Sequence, residues 1–264
     1  MQTRLITTFL MFFLCTSISH AAEYSLTIQP ILSEKKTVEA YQSLADYLSS
    51  QTGQTITLVT HRNFTFYWSK MRHQREGFDI VLDAAHFTDY RVKKQGYTVL
   101  AKLPDTVSFS IVTHEDNFVM DAEELTSTRI ATMPSPSLGA MRLEELYPNP
   151  MRVPLYVYER STKKAVESVL SGKVDAAIIP TRLASTYEGL NTVETTDPVP
   201  HMAISTSPKV PADVTEKIRQ ALLTADTNPE GQKMLAAINA VKFVPAENAD
   251  YDGYTDLLEG VFGY

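Results

Sequence analysis

The sequence of 264 residues predicts an α/β protein built as two similar lobes joined by two crossing strands. Three observations lead there. Strand-like and helix-like stretches alternate along the first part of the chain, which favours layered α/β units with parallel strands. A pattern of Gly, a short gap, Asp, a strand and a helix ending in Tyr occurs twice, in EGFDIVLDAAHFTDY (76–90) and SGKVDAAIIPTRLASTY (171–187). No low-complexity linker parts the two copies, so strands are expected to join the lobes, within Thr106–Thr113 and Val199–Thr206. The expected division is residues 22–107 with 205–264 in one lobe and 108–204 in the other.

Each element follows from local pattern. Tyr24–Leu32 alternates around Leu26 and Ile28 and reads as a strand. Val38, Tyr41, Leu44, Ala45 and Leu48 fall at helical spacing, and Gly53 supplies the left-handed residue that ends such a helix. TITLVT (55–60) is β-branched and strand-like. A helix over Phe64–Arg75, the strand FDIVL (78–82) and a helix over His86–Gln95 ending at Gly96 follow. FSIVT (109–113) is a strand, then come a short helix and a strand within DAEELTSTRIATM. Beyond Leu138 lie a helix, the strand VPLYVYE (153–159), a helix over Lys163–Leu170, a strand over Val174–Ile179 and a helix over Thr181–Tyr187. HMAIST (201–206) is the last strand, and helices at about 212–225 and 229–241, with a short C-terminal one, close the chain.

The first residues read as an export signal. Arg4 is followed by an almost wholly apolar Leu5–Ile18, and Ser19-His20-Ala21 places small residues at −3 and −1 of a cut before Ala22. That apolar run is too short to span a bilayer. Leu14 stands before Cys15 where a lipid-attachment motif wants a small residue. A periplasmic chain starting at Ala22 is therefore expected, without the single cysteine and without a disulfide. Losing Arg4 takes the formal charge from −7 to −8, which argues against nucleic acid as a partner. A small anion is not excluded, because backbone N–H groups and hydroxyls can hold one without net positive charge.

The stretch IATMPSPSLGAMRL (130–143) carries the main site expectation. A strand ends in a Pro-Ser-Pro-Ser cluster just before a helix, whose first N–H groups lack intrahelical partners and whose dipole favours negative charge. Ser135 and Ser137 add hydroxyls, the Leu138 and Gly139 backbone adds N–H donors, and Gly139 allows close approach. The competing reading is that Ser137 caps the helix and Pro136 stiffens the turn. Ser161 and Thr162 form a second hydroxyl pair between strand and helix. In the other lobe, Phe64 belongs to an aromatic cluster (Phe64, Phe66, Tyr67, Trp68) that serves either the core or a cleft wall. His86 and Tyr90 lie one helical turn apart and can share a face.

Motifs for a Ser, Cys or zinc hydrolase and for nucleotide phosphate binding are lacking, and no catalytic residue, metal site or cofactor is expected. The five histidines beyond the expected cut, at 61, 73, 86, 114 and 201, show no ligand spacing. A metal site drawing His86 and His201 together, or an exported hydrolase, stay as rival readings.

The order of segments resembles the phosphonate/phosphite/phosphate-binding periplasmic proteins of ABC transporters. YQSLADYLSSQTGQTITLV is similar to that family's opening helix and strand, and GFDIVLDAAHFTDY to its Gly-to-Asp strand and aromatic helix. SFSIVTHEDN with DAEELTSTRIATMPSPSLG resembles its crossing strand, helix and anion loop; AVESVLSGKVDAAII and DPVPHMAIST complete the series. The resemblance implies a two-lobed periplasmic-binding-protein fold, type II-like, that closes on a small anionic ligand and delivers it to a membrane permease. A membrane-bound sensor ectodomain is the alternative partner. It places Ser135 and Ser137 on the oxyanion loop, Ser161 and Thr162 on a second hydroxyl turn, and Phe64 near a cleft-lining aromatic. Three departures stand out: Ser-Pro-Ser-Leu-Gly replaces a Ser-Thr-Ser-Gly-like loop, Thr162 stands where a His is usual, and Ala84-Ala85 replaces Gly-Pro.

Overall fold

The structure is a computed structural model that describes residues 22–264. The export signal, its cut at Ala21/Ala22 and Cys15 lie outside the described residues, apart from Ala22 itself. In chain order the first unit comprises β1 (Glu23–Ile28), α1 (Glu34–Thr52), β2 (Thr55–Val59), α2 (Phe64–Arg72), β3 (Ile80–Asp83), α3 (Ala85–Gln95) and β4 (Thr98–Lys102). A short β5 (Thr106–Val107) leads to β6 (Phe109–His114), β7 (Arg129–Thr132), α4 (Leu138–Leu146), β8 (Leu155–Tyr158), α5 (Thr162–Leu170), β9 (Ala176–Pro180), α6 (Thr181–Ala184) and β10 (Leu190–Thr195). The chain returns through β11 (Val199–Pro200) to β12 (Ala203–Thr206), α7 (Ala212–Leu223), α8 (Pro229–Ala237) and β13 (Val244–Pro245).

The strands form two sheets, ordered β13-β4-β12-β3-β1-β2 and β10-β6-β9-β7-β8. β5 and β11 pair antiparallel between them, so the chain crosses twice, side by side. The two orders are the same device repeated. β3-β1-β2 and β9-β7-β8 are parallel triplets, and each is flanked by an antiparallel strand, β12 or β6. The expectation of parallel layers therefore needs correcting: both sheets are mixed, because each crossing strand enters against the parallel set.

The repeated Gly-to-Asp pattern has a structural counterpart. Asp79, just before β3, accepts the N–H and hydroxyl of Ser25 on β1 at 2.9 and 2.7 Å. Asp175, just before β9, accepts the N–H of Arg129 on β7 at 2.8 Å. Each carboxylate thus ties the start of its strand to the parallel neighbour and sets the register. β4 and β10 lie outside the strands expected from local pattern, and the helix expected over Thr181–Tyr187 stops at Ala184.

Packing follows the apolar spacing. α1 buries Tyr41, Leu44, Ala45 and Leu48 on one face, and Gly53 closes it with φ 71°. Truncating a fully buried leucine such as Leu44 to alanine costs about 2–5 kcal/mol. α4 differs, with six consecutive residues, Leu138–Leu143, all buried. Leu138 belongs to the main core of the first sheet, and Met141 to an aromatic cluster with Phe64, Tyr67 and Trp68. Leu143 packs with Ile130 and Ile178 of the second sheet. The first six residues of α4 are thus buried all round, and both lobes grip the start of this helix.

Candidate functional site

The site loops lie where the parallel triplets end. β7 and β8 run in register with Thr132 opposite Tyr158, and the Glu159 N–H donates to the Thr132 carbonyl at 2.8 Å. The loop bearing Ser135 and Ser137 and the turn bearing Ser161 and Thr162 therefore leave adjacent strand tips. In the first lobe, the corresponding tips lead into the starts of α1, α2 and α3.

Ser137 is the N-cap of α4: its Oγ accepts the Ala140 N–H at 3.3 Å and donates to the Met133 carbonyl at 3.1 Å. Its hydroxyl is thus committed inside the loop, as the capping reading expects. Among the described residues, no acceptor takes the N–H of Leu138 or Gly139, which are the free donors of this helix start. The Leu138 side chain is buried in the first sheet's core. Gly139 serves packing: a Cβ there would stand 3.0 Å from the Phe109 ring, so the open space beside its backbone belongs to that ring. Ser161 repeats the capping geometry, its Oγ accepting the Lys164 N–H at 3.3 Å, with Thr162 half-buried beside it.

The lobes meet at the Ser135-Pro136 segment, whose peptide bond is cis. The Pro136 carbonyl lies 2.9 Å from Nε2 of His86, and the Ser135 carbonyl accepts Thr65 Oγ1 at 3.4 Å. His86 and Thr65 stand in the first turns of α3 and α2, so two neighbouring carbonyls of one lobe face donors from the other. His86 is fully buried, and its ring stacks on Phe87 at 4.0 Å. Burial lowers its pKa to about 4, with the Pro136 bond opposing the shift.

Phe64 is buried against Phe87 at 6.3 Å, within the aromatic cluster. Tyr90 packs edge-on against Trp68 at 4.9 Å and lies 6.1 Å from Tyr264. The structure thus gathers Ser135, Ser137, Leu138, Gly139, Ser161 and Thr162 at one edge of the second sheet and brings His86 onto it. Phe64 and Tyr90 are engaged in the first lobe's aromatic packing.

Other residues here were not singled out by sequence. Asp83, the last residue of β3, is fully buried; its carboxylate accepts Arg91 Nε at 2.6 Å and the Tyr67 hydroxyl. Arg91 also reaches the Tyr67 hydroxyl at 3.0 Å and the Tyr97 hydroxyl at 3.4 Å. Burial works against the Arg91 charge, but Tyr67, Asp83 and Tyr97 more than offset it and raise its pKa. The Tyr67 hydroxyl is pushed well up, chiefly by burial. This network fixes the tip of β3 and hence the start of α3 that carries His86. Thr132 Oγ1, at the tip of β7, is buried with no hydrogen-bond partner among the described residues. Arg142 of α4 donates to the Asp197 carbonyl at 3.0 Å, tying the helix to the returning crossing strand. Asp83, Arg91 and Tyr67 are scattered in sequence, and only the fold assembles them. Among the described residues, no group of three or more His, Cys, Asp or Glu side chains gathers as a metal site.

Comparison with known proteins adds the wider context. Residues 26–251 match a family model described as the periplasmic phosphonate substrate-binding protein of ABC transporters. No curated protein matches by sequence. Among solved structures, PhnD1 of Prochlorococcus marinus in complex with methylphosphonate is 13% identical, with a TM-score of 0.76, over 90% of this chain and 97% of that one. A binding-protein component of a Pseudomonas aeruginosa ABC phosphonate transporter is 15% identical, with a TM-score of 0.73, over 90% and 86%. A Xanthomonas citri protein bound to ATP is 14% identical, with a TM-score of 0.74, over 91% and 97%. At such identities the likeness speaks to the fold, two lobes joined by crossing strands.

Proposed function

The chain belongs to the family of phosphonate-binding periplasmic substrate-binding proteins of ABC transporters, and from that premise we propose that it captures a small oxyanion, by preference phosphonate- or phosphite-like, between its lobes. The lobes of this reading are residues 22–107 with 205–264, and 108–204. The observation that carries it is the start of α4, where the Leu138 and Gly139 N–H groups have no acceptor among the described residues, in the loop that leaves the tip of β7 next to the Ser161 turn. Such an edge can hold an oxyanion by dipoles and hydrogen bonds alone.

Closure about the β5/β11 crossing buries the ligand, and the closed form is what a membrane permease recognises. Capture makes and breaks no bond, so no residue is assigned a catalytic role. The family's partner is a transporter, and a permease rather than a sensor ectodomain is the partner of this reading. The exported chain, freed of its signal, works in the periplasm.

Calorimetric titration with methylphosphonate, phosphite and phosphate tests the reading. At least one should bind, and Ser135→Ala should weaken that binding about tenfold to a hundredfold, since a hydrogen bond to a charged partner is worth about 1.5–3 kcal/mol. Ser137→Ala should instead show mainly the loss of a cap, about 1 kcal/mol of stability. If none of the three anions binds, the oxyanion reading fails.

A further inference from the structure

We propose that His86 is a positioning residue for capture: a clasp from the first lobe that holds the Pro136 carbonyl of the second, and lets go when its ring takes up a second proton. This needs the two lobes but not the identity of the ligand.

The geometry sets the ring's working state. A carbonyl can only accept, so the bond to Pro136 places a hydrogen on Nε2 and leaves Nδ1 bare. Nδ1 is buried, and no partner for it exists among the described residues. Protonating the ring puts both a charge and an unmatched N–H into a fully buried position where the ring stacks on Phe87, centroids 4.0 Å apart.

Among the described residues, no carboxylate pairs with the ring. On the first lobe, Asp83 is occupied by Arg91 and Tyr67, and Asp89 by the Thr255 N–H and Lys93. On the second lobe, Arg142 of α4 is paired with Glu145. Among the described residues, burial lowers the His86 pKa and the Pro136 bond opposes the shift. Opening the lobes is therefore the way to hydrate the charged ring.

The sign follows from linkage. An opened, solvated ring titrates near 6.5 and the clasped ring near 4, so the closed form binds fewer protons between those values. Falling pH across that window shifts the balance toward open lobes, by up to about tenfold per pH unit. Above about 6.5 the clasp is at full strength.

Glutamine at position 86 can donate an N–H but cannot titrate, and phenylalanine can do neither. Small-angle scattering of the protein without added ligand, at pH 7.5 and pH 4.5, is the test, with near-ultraviolet circular dichroism confirming native packing. The wild type should be compact at pH 7.5 and expanded at pH 4.5. His86→Gln should stay compact at both, and His86→Phe should be expanded at both. His61 is also buried, and burial together with Lys70 and Arg91 lowers its pKa to about 4, but it sits inside the first lobe against Phe78 and Tyr67. His61→Gln should accordingly keep the wild-type expansion. The proposal falls if the wild type stays compact while folded at pH 4.5. It falls equally if His86→Gln expands in step with the wild type, or if the wild type at pH 7.5 is already as open as His86→Phe.

Discussion

The Phe109 ring occupies the space beside Gly139 that a side chain would fill, its Cε1 and Cδ1 lying 3.0 and 3.2 Å from where a Cβ would stand. Phe109 opens the first strand after the outward crossing, and Gly139 lies in the first turn of the helix that begins at the candidate anion loop. The pair joins the strand after the outward crossing to the candidate anion loop by direct contact. Gly139→Ala alone should favour the helix by about 1 kcal/mol, but here the ring has to shift to admit the methyl group. We expect a net loss of about 1 kcal/mol, largely recovered by Phe109→Leu in the same chain. A double-mutant cycle in urea reads this directly; additive effects would mean that the ring and the glycine are not coupled.

Asp83 and Arg91 form a fully buried ion pair completed by Tyr67. Removing one partner strands a buried charge, so Arg91→Met should cost about 3–5 kcal/mol. A combined Asp83→Asn, Arg91→Met variant should cost less than the sum of the two single changes. Equilibrium denaturation distinguishes this from simple loss of packing, for which the effects would add.

Stability should depend on pH through His61. Burial, aided by Lys70 and Arg91, lowers its pKa to about 4 in the folded chain, while the unfolded chain titrates near 6.5. Between those values the unfolded state binds more protons, so the contribution is whole above about 6.5 and lost as pH falls toward 4. The slope is up to about 1.4 kcal/mol per pH unit. His61→Gln should flatten the curve of melting temperature against pH in that window, and an unchanged slope would assign it to other groups.

Thr132 has a buried hydroxyl with no partner among the described residues, at a strand tip beside the candidate site. Replacing it by the isosteric valine removes an unmet polar group, and stability should rise by about 1 kcal/mol or more. Thermal denaturation without added ligand is the measurement. A drop in stability would show that the hydroxyl is hydrogen-bonded in solution.

Much of this architecture was legible in the sequence because it is locally encoded. Gly53 and Gly96 end helices where their left-handed φ of 71° is required, and the two Gly-to-Asp patterns mark equivalent strands. β4 and β10 were less legible, since their place depends on partners distant in sequence, β12 and β6. At the site, Ser135, Ser137, Ser161 and Thr162 could be found because hydroxyls between a strand and a helix are a local signal. That His86 meets Pro136, and that Phe64 and Tyr90 turn into aromatic packing, depends on how the lobes and the C-terminal segment come together. No spacing along the chain carries that information.

The strand order also says something about how the molecule is made. Every strand of the second sheet comes from one contiguous stretch, Phe109–Thr195, so that sheet can assemble as soon as the stretch is free. The first sheet cannot be completed then. Among the described residues β4 pairs only with β12 and β13, both of which come after the last strand of the second sheet, and β12 is also the strand that joins β4 to β3. Until Ala203–Thr206 arrives, the earlier half of the first lobe is an unfinished sheet with an open edge at β3, the kind of surface that pairs with the wrong chain. A newly exported chain is thus vulnerable at its beginning rather than its end, and its last sixty or so residues act as the closing piece for its first.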